Sequence, residues 1–246
     1  MRNAGKKWFF ITPDYAYGHT LQAAFVERLK AAGGTYEGDM LPLGTVDFSA
    51  SLIKARAYQP TVLIDSMAGL DQVNSLKQFM QFGLDKQMKV GGALYELETV
   101  LAVPDAARIG WWTMEWWWNQ PNVPHVADFV AEIRNATNKI ASARHWFGFA
   151  SVHAFKLAAE KAKSLEAIKM ARALEGEALP PEVALQPGKV FFRAGDHELM
   201  STVFVGEVHP PKGGPGDVFT IREEVPGDEA AGTVEATGCH MSYPAS

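Results

Sequence analysis

The chain has 246 residues, 47% hydrophobic and 21% charged, with a formal net charge of −5. That is enough apolar material to bury a full core, which excludes disorder over most of the length, and the absence of clustered Lys and Arg excludes a phosphate-coating surface, so no nucleic acid partner is expected. No apolar run approaches the roughly 20 residues that cross a bilayer, and no charged stretch followed by an apolar core opens the chain; membrane insertion is not expected, no signal peptide is read, and Met1 taken literally begins a cytosolic protein.

Residues Lys7 to Thr12 (KWFFIT), closed by Pro13, read as a buried strand ending in a loop. Leu21, Phe25 and Leu29 then recur four apart and Gly33-Gly34 follows as a stop, which gives strand, loop, helix. The unit repeats. Met40 to Leu43 is a short strand, Asp47 caps a helix carrying Phe48, Leu52 and Ala55, and Thr61 to Ile64 (TVLI) is another buried strand. Asp71 caps a helix whose inner face is Val73, Leu76 and Met80, closed by Gly83, and strands follow at Met88 to Leu94 and Gly110 to Trp118. Strands separated by helices require crossover connections, so residues 6–118 are expected to form one doubly wound α/β lobe with a largely parallel sheet.

From Pro121 the pattern changes. Val126 to Ile133, Phe147 to Ala162 and Leu165 to Leu174 are three helices with no strand between them, so residues 121–186 cannot extend the sheet and must cover something else. Residues 187–208 read as a hairpin, Val190 to Arg193 with Thr202 to Val208, and residues 209–246 as an extended tail of Pro, Gly and acid.

In an open parallel sheet, ligands bind beyond the carboxyl ends of the strands, where loops and helix amino termini converge. That rule selects Asp14, Tyr15 and Tyr17 after the first strand, Ser66, Ala68, Gly69 and Asp71 after TVLI, Tyr95 and Glu96 after GGALY, and Trp116 and Trp117 at the end of the last strand. The set is aromatic and small with one or two carboxylates, the composition of a pocket for a small organic molecule. Reaction machinery is not written here: Gly-x-Ser-x-Gly, Gly-x-Gly-x-x-Gly and Gly-Lys-Ser/Thr are all missing, no cofactor is implied, and the expected role is a carrier, not an enzyme. His19 can serve as a base beside Asp14, but at a helix start it reads as a solvated residue. Cys239, the single cysteine, rules out an internal disulfide, and beside His240 it lacks the further ligands a metal site needs. Trp111 and Trp112 read as core, whereas Trp116 and Trp117 read as cleft residues because large amphipathic rings suit a half-wet crevice.

KKWFFITPDYAYG, DFSASLIKARAYQPTVLI, DQVNSLKQFMQFGL, ARHWFGFASVHAFKLAAEKA and PGKVFFRAGDHELMSTVFVGEV follow one another in an order that resembles the second lobe of type I periplasmic substrate-binding proteins of the branched-chain amino acid ABC-transporter family. The resemblance runs to about Val208. It implies two α/β lobes joined by three crossing segments, closing on an amino acid or other small carboxylate, a location in the periplasm and an ABC permease as partner. It further implies that Tyr17 contacts ligand, that Ala68 and Gly69 form a second contact loop, and that the GGALYE strand end faces a ligand ammonium. Here Ala93-Leu94-Tyr95 intervene before Glu96, a departure from the family's pattern that leaves two chemistries open: a branched-chain or aromatic amino acid, or an aromatic or aliphatic acid with no ammonium. A ligand-sensing receptor or regulator is the alternative role for this fold. A first lobe and a secretory leader, a hundred or more residues in all, are expected ahead of a misplaced or truncated start at Met1.

Overall fold

Both faces of the first strand, β1 (Lys7–Pro13), are covered, and for that reason its sequence is a continuous apolar run without alternation. The structure is a computed structural model describing residues 5–243, so Met1 itself lies outside the described residues. α1 (Ala16–Ala31), β2 (Thr35–Leu41), α2 (Ser49–Tyr58), β3 (Val62–Asp65), α3 (Gly69–Gln81), β4 (Lys89–Gly91), α4 (Leu97–Ala102) and β5 (Trp111–Met114) follow in alternation. Trp8 and Phe10 pack with Val26 and Leu29 of α1 on one face. Phe9 points to the other, with its ring 6.3 Å from that of Tyr58 on α2. Each such fully buried side chain stabilises the fold by about 1.5 to 3 kcal/mol.

β1 pairs in parallel with β2, from Lys7↔Thr35 to Pro13↔Leu41, and on its other side with β3, from Trp8↔Val62 to Ile11↔Asp65. β3, β4 and β5 continue in parallel. Two further strands, named below, complete a seven-stranded sheet whose edges are β2 and a strand from the chain's last quarter. The described residues through Met114, together with Val205–Arg222, form one compact unit; Glu115–Phe204 and the described residues from Glu223 form a second.

The second unit is built on α5 (Val126–Thr137), α6 (Ala143–Ala162), α7 (Ala167–Leu174) and α8 (Pro181–Ala184). Ser142 and His145 make a reciprocal cap at the start of α6. The indole of Trp146 anchors the helix, donating to the Val183 carbonyl at 3.2 Å. Val152 and Phe155 on the same helix are exposed.

The expected hairpin is different in fact. β6 (Phe191–Phe192) pairs antiparallel with β7 (Leu199–Met200), and the Val190 and Phe192 backbone also bonds to Leu179 and Glu177. β8 (Val203–Val208) leaves that ribbon for the main sheet, because its alternating buried residues Phe204, Gly206 and Val208 find their core there. Nor is the tail only extended: β9 (Phe219–Val225) is the far edge of the sheet, followed by α9 (Gly227–Ala230) and α10 (Val234–Thr237). FTIREEV is a strand sequence hidden by the Pro and Gly on either side of it.

Candidate functional site

The strand order β2-β1-β3 means that the chain leaves β1 in one direction and returns on its other side. Loops after β1 and β3 therefore diverge, and the carboxyl edge between them is the topological switch point where open α/β sheets bind ligands.

Tyr15 sits in that edge as the residue before α1, 40% exposed, with its ring 5.7 Å from that of half-buried Tyr17. The end of β1 is fixed beneath them: Thr12 donates its hydroxyl to Gln22 Oε1 of α1 at 2.6 Å. Asp14 and His19 pair at 2.7 Å at the surface.

Across the switch point, Ala68 caps α3 in an extended conformation and Gly69 follows with φ +55°. That left-handed angle is open to glycine at no steric cost. Both residues are exposed, and the first amide groups of the 13-residue helix begin there. Asp71 in the first turn accepts the Gly44 N–H at 2.8 Å, which ties the β2–α2 loop to the same edge. Leu43, Val46 and Leu70 on these tied segments are between 65% and 70% exposed. The edge thus has an aromatic pair, a helix start and an uncovered apolar rim.

Beneath the Ser66–Gly69 loop lies a polar group that the sequence reading passed over. Asp65 ends β3 fully buried, accepting the Met67 N–H at 2.9 Å and touching the Ser75 hydroxyl. Burial pushes its carboxyl up to about 7, against the opposing effect of those two hydrogen bonds. Ser66 Oγ, Gln72 Nε2 and the Tyr95 hydroxyl, all buried, have no partner among the described residues. The signal was present: an acidic residue directly closing an apolar run, VLID, has no solvent to enter.

The remaining expected residues differ in burial and in the element that carries them, and Tyr95 and Glu96 follow β4 on the carboxyl side of the sheet. Tyr95 is 1% exposed and packs its ring 4.4 Å from that of Trp112, so it is a core residue and not part of an open wall. Burial, then the nearby Asp65 charge, raises its hydroxyl pKa. Glu96 is the half-buried residue that precedes α4. Trp116 and Trp117 are not half-wet rings: β5 stops at Met114 rather than Trp118, and both rings are buried. Trp116 belongs to the core of the second unit with Phe129 and Trp146. The strand parity drawn through Trp118 fails because the chain leaves the sheet at Glu115.

A hollow of about 650 Å³ lies at the opposite, amino ends of the strands, lined by Thr61, Lys86, Met88 and Trp111 among others; it lacks the converging loops of the switch point. Among the described residues no group of three or more His, Cys, Asp or Glu side chains could hold a metal ion, and no helix is long and apolar enough to cross a membrane.

Solved structures with this architecture are numerous. A periplasmic binding protein from Burkholderia mallei superposes with a TM-score of 0.84 at 26% identity, covering 93% of this chain and 60% of that one. A branched-chain amino acid ABC transporter periplasmic ligand-binding protein from Burkholderia xenovorans gives 0.77 at 22%, covering 94% and 62%. A solute-binding protein of an ABC transporter from Rhodopseudomonas palustris, in complex with 3,4-dihydroxybenzoic acid, gives 0.80 at 22%, covering 92% and 62%. The chain thus spans about 60% of the length of these proteins. No curated protein matches the sequence. The periplasmic binding protein family model matches residues 1–215, and with its mostly parallel α/β sheet the chain belongs to the periplasmic binding protein family and has its type I fold.

Proposed function

We propose that the chain is the ligand-contacting part of an ABC-transporter solute-binding protein, holding a small carboxylic acid at the switch point between β1 and β3 and delivering it to a permease in the periplasm. The observation that carries this reading is the open carboxyl edge itself, where Tyr15, Tyr17 and the Ala68–Gly69 helix start stand around an apolar rim of Leu43, Val46 and Leu70. Aromatic faces suit a small organic body, and helix amide groups suit its carboxylate. Among the described residues no nucleophile is hydrogen-bonded to the Asp14–His19 pair at that edge, which supports a carrier over an enzyme.

An exposed rim of this kind is the surface on which a second lobe would close, and exposed Val152 and Phe155 of α6 offer a second uncovered apolar face. The similar structures are longer by more than a third of their own length, in keeping with a further lobe. Alone, the chain would hold its ligand weakly, because each missing hydrogen bond to a charged group costs about 1.5 to 3 kcal/mol.

Two ligand chemistries remain from the sequence. Glu96 as an ammonium partner would make the ligand a branched-chain or aromatic amino acid. Glu96 on the solvent side ahead of α4 would leave the second, an aromatic or aliphatic acid without an ammonium.

A thermal-shift panel of L-leucine, L-phenylalanine, benzoate and 3,4-dihydroxybenzoate tests both. Stabilisation by the acids that survives Glu96→Gln supports the second chemistry, and stabilisation by the amino acids that Glu96→Gln abolishes supports the first. Turnover of an amide, ester or phosphate that is lost in His19→Ala would sink the carrier reading.

A further inference from the structure

Asp65 takes no part in the ligand contacts described above, yet it closes β3 directly beneath the contact loop. Its Oδ1 accepts the Met67 N–H at 2.9 Å, and its Oδ2 is in short contact with Ser75 Oγ. Ser75 Oγ also lies 3.0 Å from the Gln72 carbonyl oxygen. A serine hydroxyl has one proton to donate. Were Asp65 ionised, that proton would serve either Oδ2 or the Gln72 oxygen, and the other oxygen would face Ser75 Oγ with no hydrogen between them. With a proton on Oδ2, the carboxyl donates to Ser75, Ser75 donates to Gln72, and Oδ1 still accepts from Met67. Every group in the chain of bonds is then satisfied.

From this geometry we propose that Asp65 is a positioning residue held as a neutral acid, whose proton completes the bonds that join β3, the loop Ser66–Gly69 and α3, and whose ionisation redraws those bonds, shifts that loop and weakens ligand binding. The effect on ligand rests on the reading of the carboxyl edge as the binding site; the effect on the loop does not.

Among the described residues, none gives an ionised Asp65 a cation. From β1, Thr12 is engaged by Gln22, and the Asp14–His19 pair is at the surface. From α3, Asp71 is turned to Gly44. Beyond β4 stands the Tyr95 hydroxyl, and Arg108, the cation whose charge reaches Tyr95, is occupied by Asp105 and by the Val100 and Leu101 carbonyls. A buried carboxylate without a cation recruits whatever donors it can. Here these are the Ser66 and Tyr95 hydroxyls, both without a partner, and the Ser75 proton withdrawn from Gln72. Ser66 is itself the first residue of the contact loop, so its recruitment moves the loop. Burial places this change near pH 7, within the range in which a carrier works.

The test follows the backbone amide signals of Met67, Ala68 and Gly69 by NMR while pH is raised from about 5.5 to about 8.5. The expected result is one shared step with a midpoint within about a unit of 7, kept in His19→Gln and absent in Asp65→Asn, or in Asp65→Ser should the first variant not fold. No step in the wild-type chain, or a step that persists without the carboxyl, overturns the proposal.

Titration of 3,4-dihydroxybenzoate and L-leucine through the same signals registers millimolar affinities. Whichever probe binds should lose about tenfold in apparent affinity from pH 6 to pH 8, as the neutral fraction falls from roughly nine-tenths to one-tenth, and lose nothing in Asp65→Asn. Equal wild-type affinity at the two pH values overturns the coupling to ligand. An amide step with neither probe bound refutes the chosen ligand class while upholding the role of Asp65 in placing the loop.

Discussion

The indole N–H of Trp116 donates to the carbonyl of Leu185 at 2.8 Å, joining two points 69 residues apart in the chain. The same carbonyl accepts from Gln120 Nε2 at 3.3 Å, and the Trp116 ring meets Phe129 edge-on at 5.6 Å. One side chain thus links the segment leaving the sheet to α5 and to the end of α8. Trp116→Phe is expected to cost about 1 to 3 kcal/mol, and Trp116→Ala about 3 to 5, with little change in the ligand response of the other unit. Denaturant unfolding followed by the fluorescence of the remaining tryptophans measures both.

Stability should depend on pH through Asp65, with a sign opposite to that of most carboxylates. Its folded pKa, about 7, lies above the ordinary carboxyl value of 3.8, so the folded state binds the extra proton. The contribution is present in full below pH 3.8, falls as pH rises through 7, and is then lost. Each unit of difference corresponds to about 1.4 kcal/mol, so the total is a few kcal/mol. Asn reproduces the neutral acid, its amide donating to Ser75 and its oxygen accepting from Met67. Asp65→Asn should therefore be more stable than wild type by a few kcal/mol at pH 8 and by a smaller margin at pH 5, as read from urea midpoints at the two pH values.

Gly92 lies where β4 gives way to the Tyr95 turn, and a Cβ there would meet the Asp65 carbonyl oxygen at 2.4 Å and the Trp112 ring at 2.8 Å. Neither neighbour is the loose end of a flexible side chain. Gly92→Ala should destabilise by about 1 to 3 kcal/mol, lowering the melting temperature by several degrees. An unchanged melting temperature would mean that β3 and β4 are less closely apposed than described.

In the second unit the tail is fastened by Tyr243, whose hydroxyl donates to Glu175 at 2.7 Å and lies 3.0 Å from His197 Nε2, under the Arg172 guanidinium at 4.5 Å. Tyr243→Phe keeps the ring and removes the hydrogen bonds. Limited proteolysis of residues 226–243 should accelerate several-fold while global unfolding stays where it was.

The parallel sheet was legible because strands buried on both faces are apolar throughout, as in KWFFIT and TVLI, and because Gly33-Gly34 and Gly83 punctuate the helices between them. Tyr15, Tyr17, Ala68 and Gly69 reach the carboxyl edge because loop residues after parallel strands have nowhere else to go. Trp116, Trp117 and Tyr95 were assigned there by the same rule and lie in cores, since an aromatic ring answers equally well to a crevice and to an interior. What distinguishes them is where β5 ends, and an alternating run of large residues carries no mark of that. Asp65 was missed for a related reason: local pattern shows that an acid follows an apolar run, but only the approach of α3 and Gly92 shows that it is sealed.

The two edge strands set how the molecule behaves among copies of itself. β2 carries Glu37, with Asp39 held by Lys54 at 2.7 Å, and β9 carries Glu223 and Glu224 beside Arg222, so charged side chains stand along both edge strands. Charged side chains on an edge strand discourage the pairing of a second edge strand with it. Seven open-ended strands would otherwise be a template for continued growth. Charged borders of this kind favour separate molecules over sheets that grow from copy to copy.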